Sequence, residues 1–390
     1  MIPPVIVPIT IDEIFNAFKT SITNNQTKIT EFEQNISKYI GCKNCILTYS
    51  GRTALYVLLK AHGLKKNDEI IMPAYMCETV SQLLVDMGFR LNFVDIEKDT
   101  YNISINDLNE KVNKNSRAII AVHMFGNPCD MKGIIEIAND HNLIVIEDAA
   151  QAMGAEYNGR KVGAIGDSGF FSFGRGKPIT AMEGGAIVTN DDRIAEKSRE
   201  IISSFEKQKI KERISIIFKL IGYSSLRNRV IYRLIHKYVR NENIRKDINI
   251  SNLRFKFSHT QASIGMIQLS KLDEFNRVRI ENARFLREHL KGTEGINLPI
   301  VLSNTKPIYL RFPIRVDTES KRDKLMSKLK KLGIESSVVY PVTLPYIYSM
   351  NPDKYANAEE VVRKMLALPT HPLVRKEDLE KMVDTILQLA

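Results

Sequence analysis

The sequence predicts an α/β protein, with a large domain on a mostly parallel seven-stranded sheet and a smaller C-terminal α+β domain. Three features predict it. Seven short apolar runs rich in branched residues recur between residues 45 and 190, the stretches between them have helical length and spacing, and the last third of the chain changes to a mixed texture. The candidate strands are Cys45 to Thr48, Glu69 to Met72, Arg90 to Val94, Ala118 to Val122, Leu143 to Ile146, Gly169 to Phe173 and Ala186 to Thr189. Runs that are apolar throughout suit strands covered on both faces, so helices such as Asp130 to Asn142 are expected on both sides.

The large domain is expected over residues 1–252, with a basic insertion at about 205–250, and the small domain over 253–390. Thr260 to Leu290 has the spacing of one long helix, with Ile264, Ile267, Leu269, Leu272 and Phe275 on its apolar side. Beyond it, Tyr309 to Val316 and Ser336 to Tyr340 have strand texture, and Lys321 to Leu332 and Lys376 to Leu389 have helical texture. No internal repeat and no Gly/Ser linker is present, so the two domains should pack together.

The 390 residues are 44% hydrophobic and 26% charged, which excludes general disorder, and four cysteines are too few to staple a secreted scaffold. No run reaches the roughly 18 apolar residues of a membrane span, and the start MIPPVIVPITIDEIF lacks a basic region and a cleavage site. A cytoplasmic protein is expected. The net charge of +11 is concentrated: between Phe205 and Asp247 twelve Lys/Arg stand against four acids. Two stripes in that segment have helical spacing, Ile214, Ile217, Phe218 and Ile221, then Ile231, Leu234, Ile235 and Tyr238, with a break near Gly222 to Ser225. Two basic amphipathic helices are therefore expected. They either turn these stripes to the core and a solvated basic side outward, or dock on an anionic membrane or a nucleotide diphosphate. Nothing resembles a reader of bases, so no nucleic-acid partner is expected.

Sheets of this kind bind ligands at the carboxyl ends of their strands, so the polar residues there carry the chemistry. Leu143 to Ile146 leads into Glu147-Asp148-Ala149-Ala150-Gln151, Gly169 to Phe173 leads through Ser172 to Lys177, and Cys45 to Thr48 leads into Ser50-Gly51-Arg52-Thr53 at a helix start. A lysine in a glycine-flanked loop beside a buried strand can be desolvated, which exposes a nucleophilic amine able to hold an aldehyde. Asp148 suits the protonated nitrogen of pyridoxal phosphate, and Ser50 to Thr53 with Ser172 can supply N–H and hydroxyl donors to its phosphate.

The motifs Tyr-Ser-Gly-Arg-Thr-Ala-Leu (49 to 55), Asp-Glu-Ile-Ile-Met-Pro (68 to 73), Phe-Val-Asp-Ile (93 to 96), Val-His-Met-Phe-Gly-Asn-Pro (122 to 128), Ile-Glu-Asp-Ala-Ala-Gln-Ala (146 to 152), Phe-Ser-Phe with Lys177, Glu-Gly-Gly (183 to 185) and Leu-Pro-Thr-His-Pro (368 to 372) stand in order. With them the chain resembles the DegT/DnrJ/EryC1/StrS aminotransferases from about residue 30 to its end. The resemblance implies a fold-type I pyridoxal phosphate enzyme, many of which aminate keto-sugars carried on nucleotides. It implies that Lys177 holds the cofactor and moves the substrate proton, and that Asp148 pairs with the pyridinium nitrogen. Gln151 would lie near the phenolic oxygen, and Ser172, Gly51, Arg52 and Thr53 would hold the phosphate. It also implies a homodimer with shared sites, and a keto-sugar nucleotide and an amino-acid donor, glutamate, as substrates.

Three positions depart from the family pattern. Arg52 adds a cation at the phosphate cradle. Cys77 stands where an aromatic ring often covers the cofactor, which either passes the stacking role to Tyr75 or weakens it. Arg254 aligns with a partner-chain Asn and, with Arg175 beside Lys177, is expected near the phosphate. Relatives that deoxygenate sugars carry a histidine for the lysine, so Lys177 favours transamination over a sugar dehydratase. A cyclitol aminotransferase and a cofactor-binding regulator without turnover are the other readings, and intact Lys177 and Asp148 weigh against the regulator. His123 ends a strand near the site and is left without a role. Cys42 and Cys45 form a CxxC with no second pair to complete a zinc site, so buried structural thiols are expected.

Overall fold

The computed structural model describes residues 1–22, 27–241 and 253–389. The expected domain boundary at 252 and the end of the basic insertion lie outside the described residues.

Seven strands form one sheet: β1 (Asn44–Thr48), β2 (Glu69–Pro73), β3 (Arg90–Val94), β4 (Ser116–Val122), β5 (Ile144–Asp148), β6 (Ser168–Ser172) and β7 (Gly185–Thr189). Their order is β1-β7-β6-β5-β4-β2-β3, and only β7 runs antiparallel to its neighbours, β1 and β6. Alternation along each strand feeds two cores. Ile70 and Met72 of β2 enter the core shared with α3 (Gly51–Ala61) and α4 (Glu78–Asp86). Ile71 enters the opposite core, shared with α2 (Thr27–Ile40), α5 (Ile105–Lys111) and α6 (Met131–His141). α7 (Asp192–Ser203) follows β7 and packs on α3, while α1 (Ile11–Ile22) precedes α2.

The antiparallel return of β7 depends on small residues. A Cβ on Gly185 would stand 2.6 Å from the Ser50 carbonyl carbon and 2.7 Å from the Gly51 nitrogen. These are backbone atoms that cannot swing aside, so glycine lets β7 lie against the start of α3.

The expected single helix over 260–290 is two helices, α10 (His259–Ser270) and α11 (Leu272–Leu290), with Lys271 between them. Lys271 turns its ammonium to the buried Glu13 carboxylate at 2.8 Å, and Gln268 bonds the same carboxylate at 2.7 Å. α10 therefore belongs to the packing of α1 and α2, whereas Ala283, Leu286 and Leu290 of α11 join the core of the small domain. That core holds the three-stranded sheet of β8 (Ile296–Asn297), β9 (Phe312–Val316) and β10 (Met365–Leu368) under α12 (Glu319–Lys331) and α15 (Lys376–Leu387), with α13 (Leu344–Ile347) and α14 (Ala356–Lys364) between. Ile2 packs into it as well, bridged to Ile334. The expected strand over Ser336 to Tyr340 is reduced to one bridge, Ser337 to Ala367.

The basic segment forms α8 (Ile210–Ser225) and α9 (Arg229–Asn241). Of the expected α8 stripe Ile217 turns to the core and the other three turn to solvent, so the core-facing reading holds only in part. α8 docks through Ile216, Ile217, Leu220 and Tyr223, while Ile214, Phe218 and Ile221 of the expected core stripe are exposed. On α9 Tyr232 is buried, and Ile231 and Leu234 are exposed; the side chain of Tyr238 lies outside the described residues. No helix among the described residues is long and apolar enough to cross a membrane.

Gly185→Ala should lower stability by about 2 kcal/mol, as over-packing against fixed atoms does, which urea denaturation measures as a lower midpoint with an unchanged slope.

Candidate active site

β5 ends in two consecutive carboxylates, and the period of a strand sends them to opposite faces. Glu147 is fully buried and accepts from the Gly163, Ile165 and Gly166 N–H groups at 2.7, 2.6 and 2.8 Å and from His123 Nε2 at 3.0 Å. Burial pushes its pKa up, but the hydrogen bonds from His123 and the backbone outweigh it, so the carboxyl stays below its ordinary value. His123 Nδ1 accepts from the Cys129 N–H at 3.1 Å, which leaves the proton on Nε2, toward Glu147. His123 is thus a buried brace. Glu147 and His123 together fix the loop between β5 and β6 to the sheet.

Asp148, on the other face, is 7% exposed, and its Oδ1 accepts from the Ala150 N–H at 3.1 Å. Burial raises its pKa, and the charge of Lys177 is the largest influence pulling it back down. Lys177 shows the reverse. Burial depresses its amine, Asp148 opposes that, and the guanidinium of Arg311 adds to it. The acid and the amine singled out in the sequence therefore act on each other's charge, in a setting that lowers the cost of a neutral amine.

The start of α3 lies beside this pair. Ser50 caps the helix by accepting from the Thr53 N–H at 3.0 Å. A Cβ on Gly51 would sit 3.0 Å from the Ser172 Cβ, so Gly51 and the end of β6 are in close contact. Arg52 is half-buried. The Thr53 hydroxyl is bound to the Leu253 carbonyl at 3.2 Å, which brings the following residue, the exposed Arg254, to the same end of α3, near Tyr56. Arg175 is exposed and stands by Glu183, whose carboxylate accepts from Tyr49 and from Lys219, both at 2.7 Å. A depression of about 260 Å³ lined by Tyr49, Glu183, Lys211, Glu212 and Lys219 adjoins them.

Gln151 is buried, donates from Nε2 to the Tyr340 hydroxyl at 3.1 Å, and keeps a buried Oε1 without a partner. Cys77 caps α4 and is close enough to act on Lys177. Tyr75 is fully buried, with Tyr340 edge-on at 5.3 Å and Phe125 at 6.5 Å. The residues that sequence reasoning missed come from the small domain: Tyr340, and Arg311, whose Nε is buried without a hydrogen-bond partner. The only signal for Arg311 was a cation inside the apolar run Tyr309 to Val316. Cys45 is buried, which pushes its thiol well above the ordinary value, and it and Cys42 are both free.

The model of the DegT/DnrJ/EryC1/StrS aminotransferase family matches residues 9–387. The chain belongs to that family. It is 32% identical over 364 residues to dTDP-3-amino-3,6-dideoxy-alpha-D-galactopyranose transaminase of Aneurinibacillus thermoaerophilus, covering 92% of this chain and 89% of the relative. It is 30% identical over 367 residues to GDP-perosamine synthase of Caulobacter vibrioides, covering 93% and 90%. The fold matches that of the Streptococcus pneumoniae protein Spr1654, solved in PLP and PMP forms, with TM-score 0.81 and 19% identity, covering 100% of this chain and 98% and 99% of those chains. This aminotransferase fits pyridoxal phosphate on its own residues: a desolvated lysine, a carboxylate facing it, a capped helix start against Ser172, and the orphaned Gln151 Oε1.

Glu147→Ala should cost roughly 3 kcal/mol or more, since it leaves several buried donors unpaired. Because the Glu147 pKa is depressed in the fold, its contribution is present above its unfolded value of about 4.3 and is lost as pH falls through the folded value. The wild-type advantage over Glu147→Ala in urea should therefore shrink as the pH is taken below about 4.

Proposed function

We propose that the protein transfers an amino group from an amino-acid donor, glutamate, to a keto-sugar carried on a nucleotide, in polysaccharide or related glycan biosynthesis. The reading rests on the mutual charge influence of Asp148, at the end of β5, and Lys177, in the loop after β6, in a chain whose relatives bear the names of dTDP- and GDP-sugar enzymes. Bound there, pyridoxal phosphate supplies the electron sink that makes the proton on the substrate carbon removable. Lys177 would hold the cofactor through its amine, and its Nζ would carry the substrate proton. Asp148 would keep the ring nitrogen protonated. Gly51 and Ser172 would hold the phosphate, with Arg52 and Arg254 as the cations at that end, and Gln151 would orient the phenolic oxygen; Thr53, its N–H on Ser50 and its hydroxyl on Leu253, would shape the cradle. The working unit is a homodimer.

Arg311 is the residue placed to select the donor. Among the described residues its Nε is buried without a hydrogen-bond partner, and the phenols of Tyr340 and Tyr75 stand near it, so this guanidinium close to Lys177 has a donor left to satisfy. The α-carboxylate of an amino acid satisfies it.

Two measurements test this reading. An amine depressed by burial becomes neutral below the pH of a solvated lysine, about 10.4, so apoprotein should capture pyridoxal at Lys177 at moderate pH, trapped by borohydride and located by peptide mass. Asp148→Asn removes the charge that favours the ammonium, and the onset of capture should move to lower pH still; capture at other lysines with Lys177 unmodified would refute the assignment. With the cofactor bound, Arg311→Met should raise the glutamate concentration for half-conversion of the visible absorbance by roughly 30-fold, the equivalent of about 2 kcal/mol, while Lys177 still captures pyridoxal.

A further inference from the structure

Three helices that pack side by side or follow one another each turn an apolar stripe to solvent. On α1 Ile11, Phe15 and Phe18 are 74%, 66% and 58% exposed and lie at i, i+4 and i+7. On α8 Ile210, Ile214, Phe218 and Ile221 are exposed, Phe218 by 70%, at i, i+4, i+8 and i+11. On α9 Val230, Ile231 and Leu234 are exposed, Leu234 by 73%. α1 packs against α8, and Arg227 in the turn between α8 and α9 reaches the Ile9 carbonyl just before α1. Scattered apolar residues on a surface are ordinary, but stripes at helical period on three associated helices are not.

The charge around these stripes is mainly basic, with Asp12 on α1 an exposed acid among it. Residues 205–241 carry ten Lys/Arg and two acids. Some of its cations are bound inside the molecule: Arg229 with Asp378 at 2.6 Å, Lys219 with Glu183 at 2.7 Å, and Arg213 with His259. Lys207, Lys209 and Arg233 remain exposed beside the apolar residues, as does Lys211, which pairs with Glu212 at 3.8 Å. A second copy of the chain is a poor cover for this face, since a two-fold interface would set a basic patch against itself. An anionic bilayer complements it. Large apolar side chains enter the acyl boundary, and Lys and Arg meet the acidic headgroups.

We propose that α1, α8 and α9 form a peripheral docking face for membranes containing acidic phospholipid. The proposal rests on this surface alone and is independent of the reaction. The test is sedimentation of the full-length protein with vesicles of phosphatidylcholine and with vesicles of equal parts phosphatidylcholine and phosphatidylglycerol. Wild type should pellet with the acidic vesicles and remain in solution with the neutral ones, and added salt should weaken pelleting. Phe15→Ser, Phe218→Ser and Leu234→Ser together should weaken it roughly tenfold or more, as should Lys207→Glu, Lys209→Glu and Arg233→Glu together. Both variants should keep the wild-type thermal midpoint and coenzyme absorbance, which separates lost docking from lost folding. Wild type that stays in solution with acidic vesicles would overturn the proposal. So would well-folded variants that pellet like wild type, or a serine variant that dissociates to monomers in analytical ultracentrifugation, which would assign the face to a second copy.

Discussion

The site depends on how one strand disposes of two adjacent charges. At the end of β5 the backbone turns Glu147 to one face of the sheet and Asp148 to the other. Glu147 is surrounded by donors, three of them backbone N–H groups of the segment leading into β6. That keeps a fully buried carboxylate ionised and ties the segment down. β6 is thereby fixed, and with it Ser172 and the loop carrying Lys177. Asp148 has one backbone donor and a buried setting, so its charge is balanced chiefly by Lys177. Two identical chemistries at neighbouring positions serve as a brace and as a reactive partner because their hydrogen-bond environments differ.

The segment leading into β9 is fastened to the loop that follows β4. Ile308 and Leu310 donate to the carbonyls of Gly126 and Phe125 at 3.0 and 2.9 Å. Gly126 has a φ of +83°, and a Cβ there would meet Ile308 at 2.6 Å and the Gln151 carbonyl at 3.0 Å. The residue after Leu310 is Arg311, so its guanidinium is carried by backbone bonded to the large domain. The Gln151 to Tyr340 hydrogen bond makes a second crossing. Arg311 is thus carried on backbone anchored at the loop after β4, and from there its charge acts on Lys177.

Strand runs were legible because burial on both faces leaves an unbroken apolar signature, and Lys177 and Asp148 were legible because they follow such runs directly. The break at Lys271 was not. Its cause is Glu13, more than 250 residues away in sequence, and nothing near 271 announces it. Arg311 and Tyr340 acquire their meaning from Gln151 and Lys177 across the domain junction, a long-range juxtaposition that local pattern cannot carry. The α8 stripe failed for a different reason. Periodicity shows that a helix has an apolar face, but α8 is apolar on two sides, and packing against α1 and the segment before it buried Ile216, Leu220 and Tyr223 instead of Ile214 and Phe218.

That second apolar side is tied to the mouth of the site. Lys219 of α8 holds Glu183, Glu183 also holds Tyr49, and Tyr49 immediately precedes the Ser50 cap of α3. α8 is thus bonded to the residues that lead into α3, and it lines the depression beside them with Lys211 and Glu212. Ion pairs of this kind are modest in energy at a surface, but the buried face of α8 supplies the firmer attachment, leaving the pairs to set its register. A helix seated in this way cannot turn its exposed stripe inward without giving up Leu220 and Tyr223. Its two faces therefore have separate duties, one fixed by the core of this chain and the other free to meet a surface outside it.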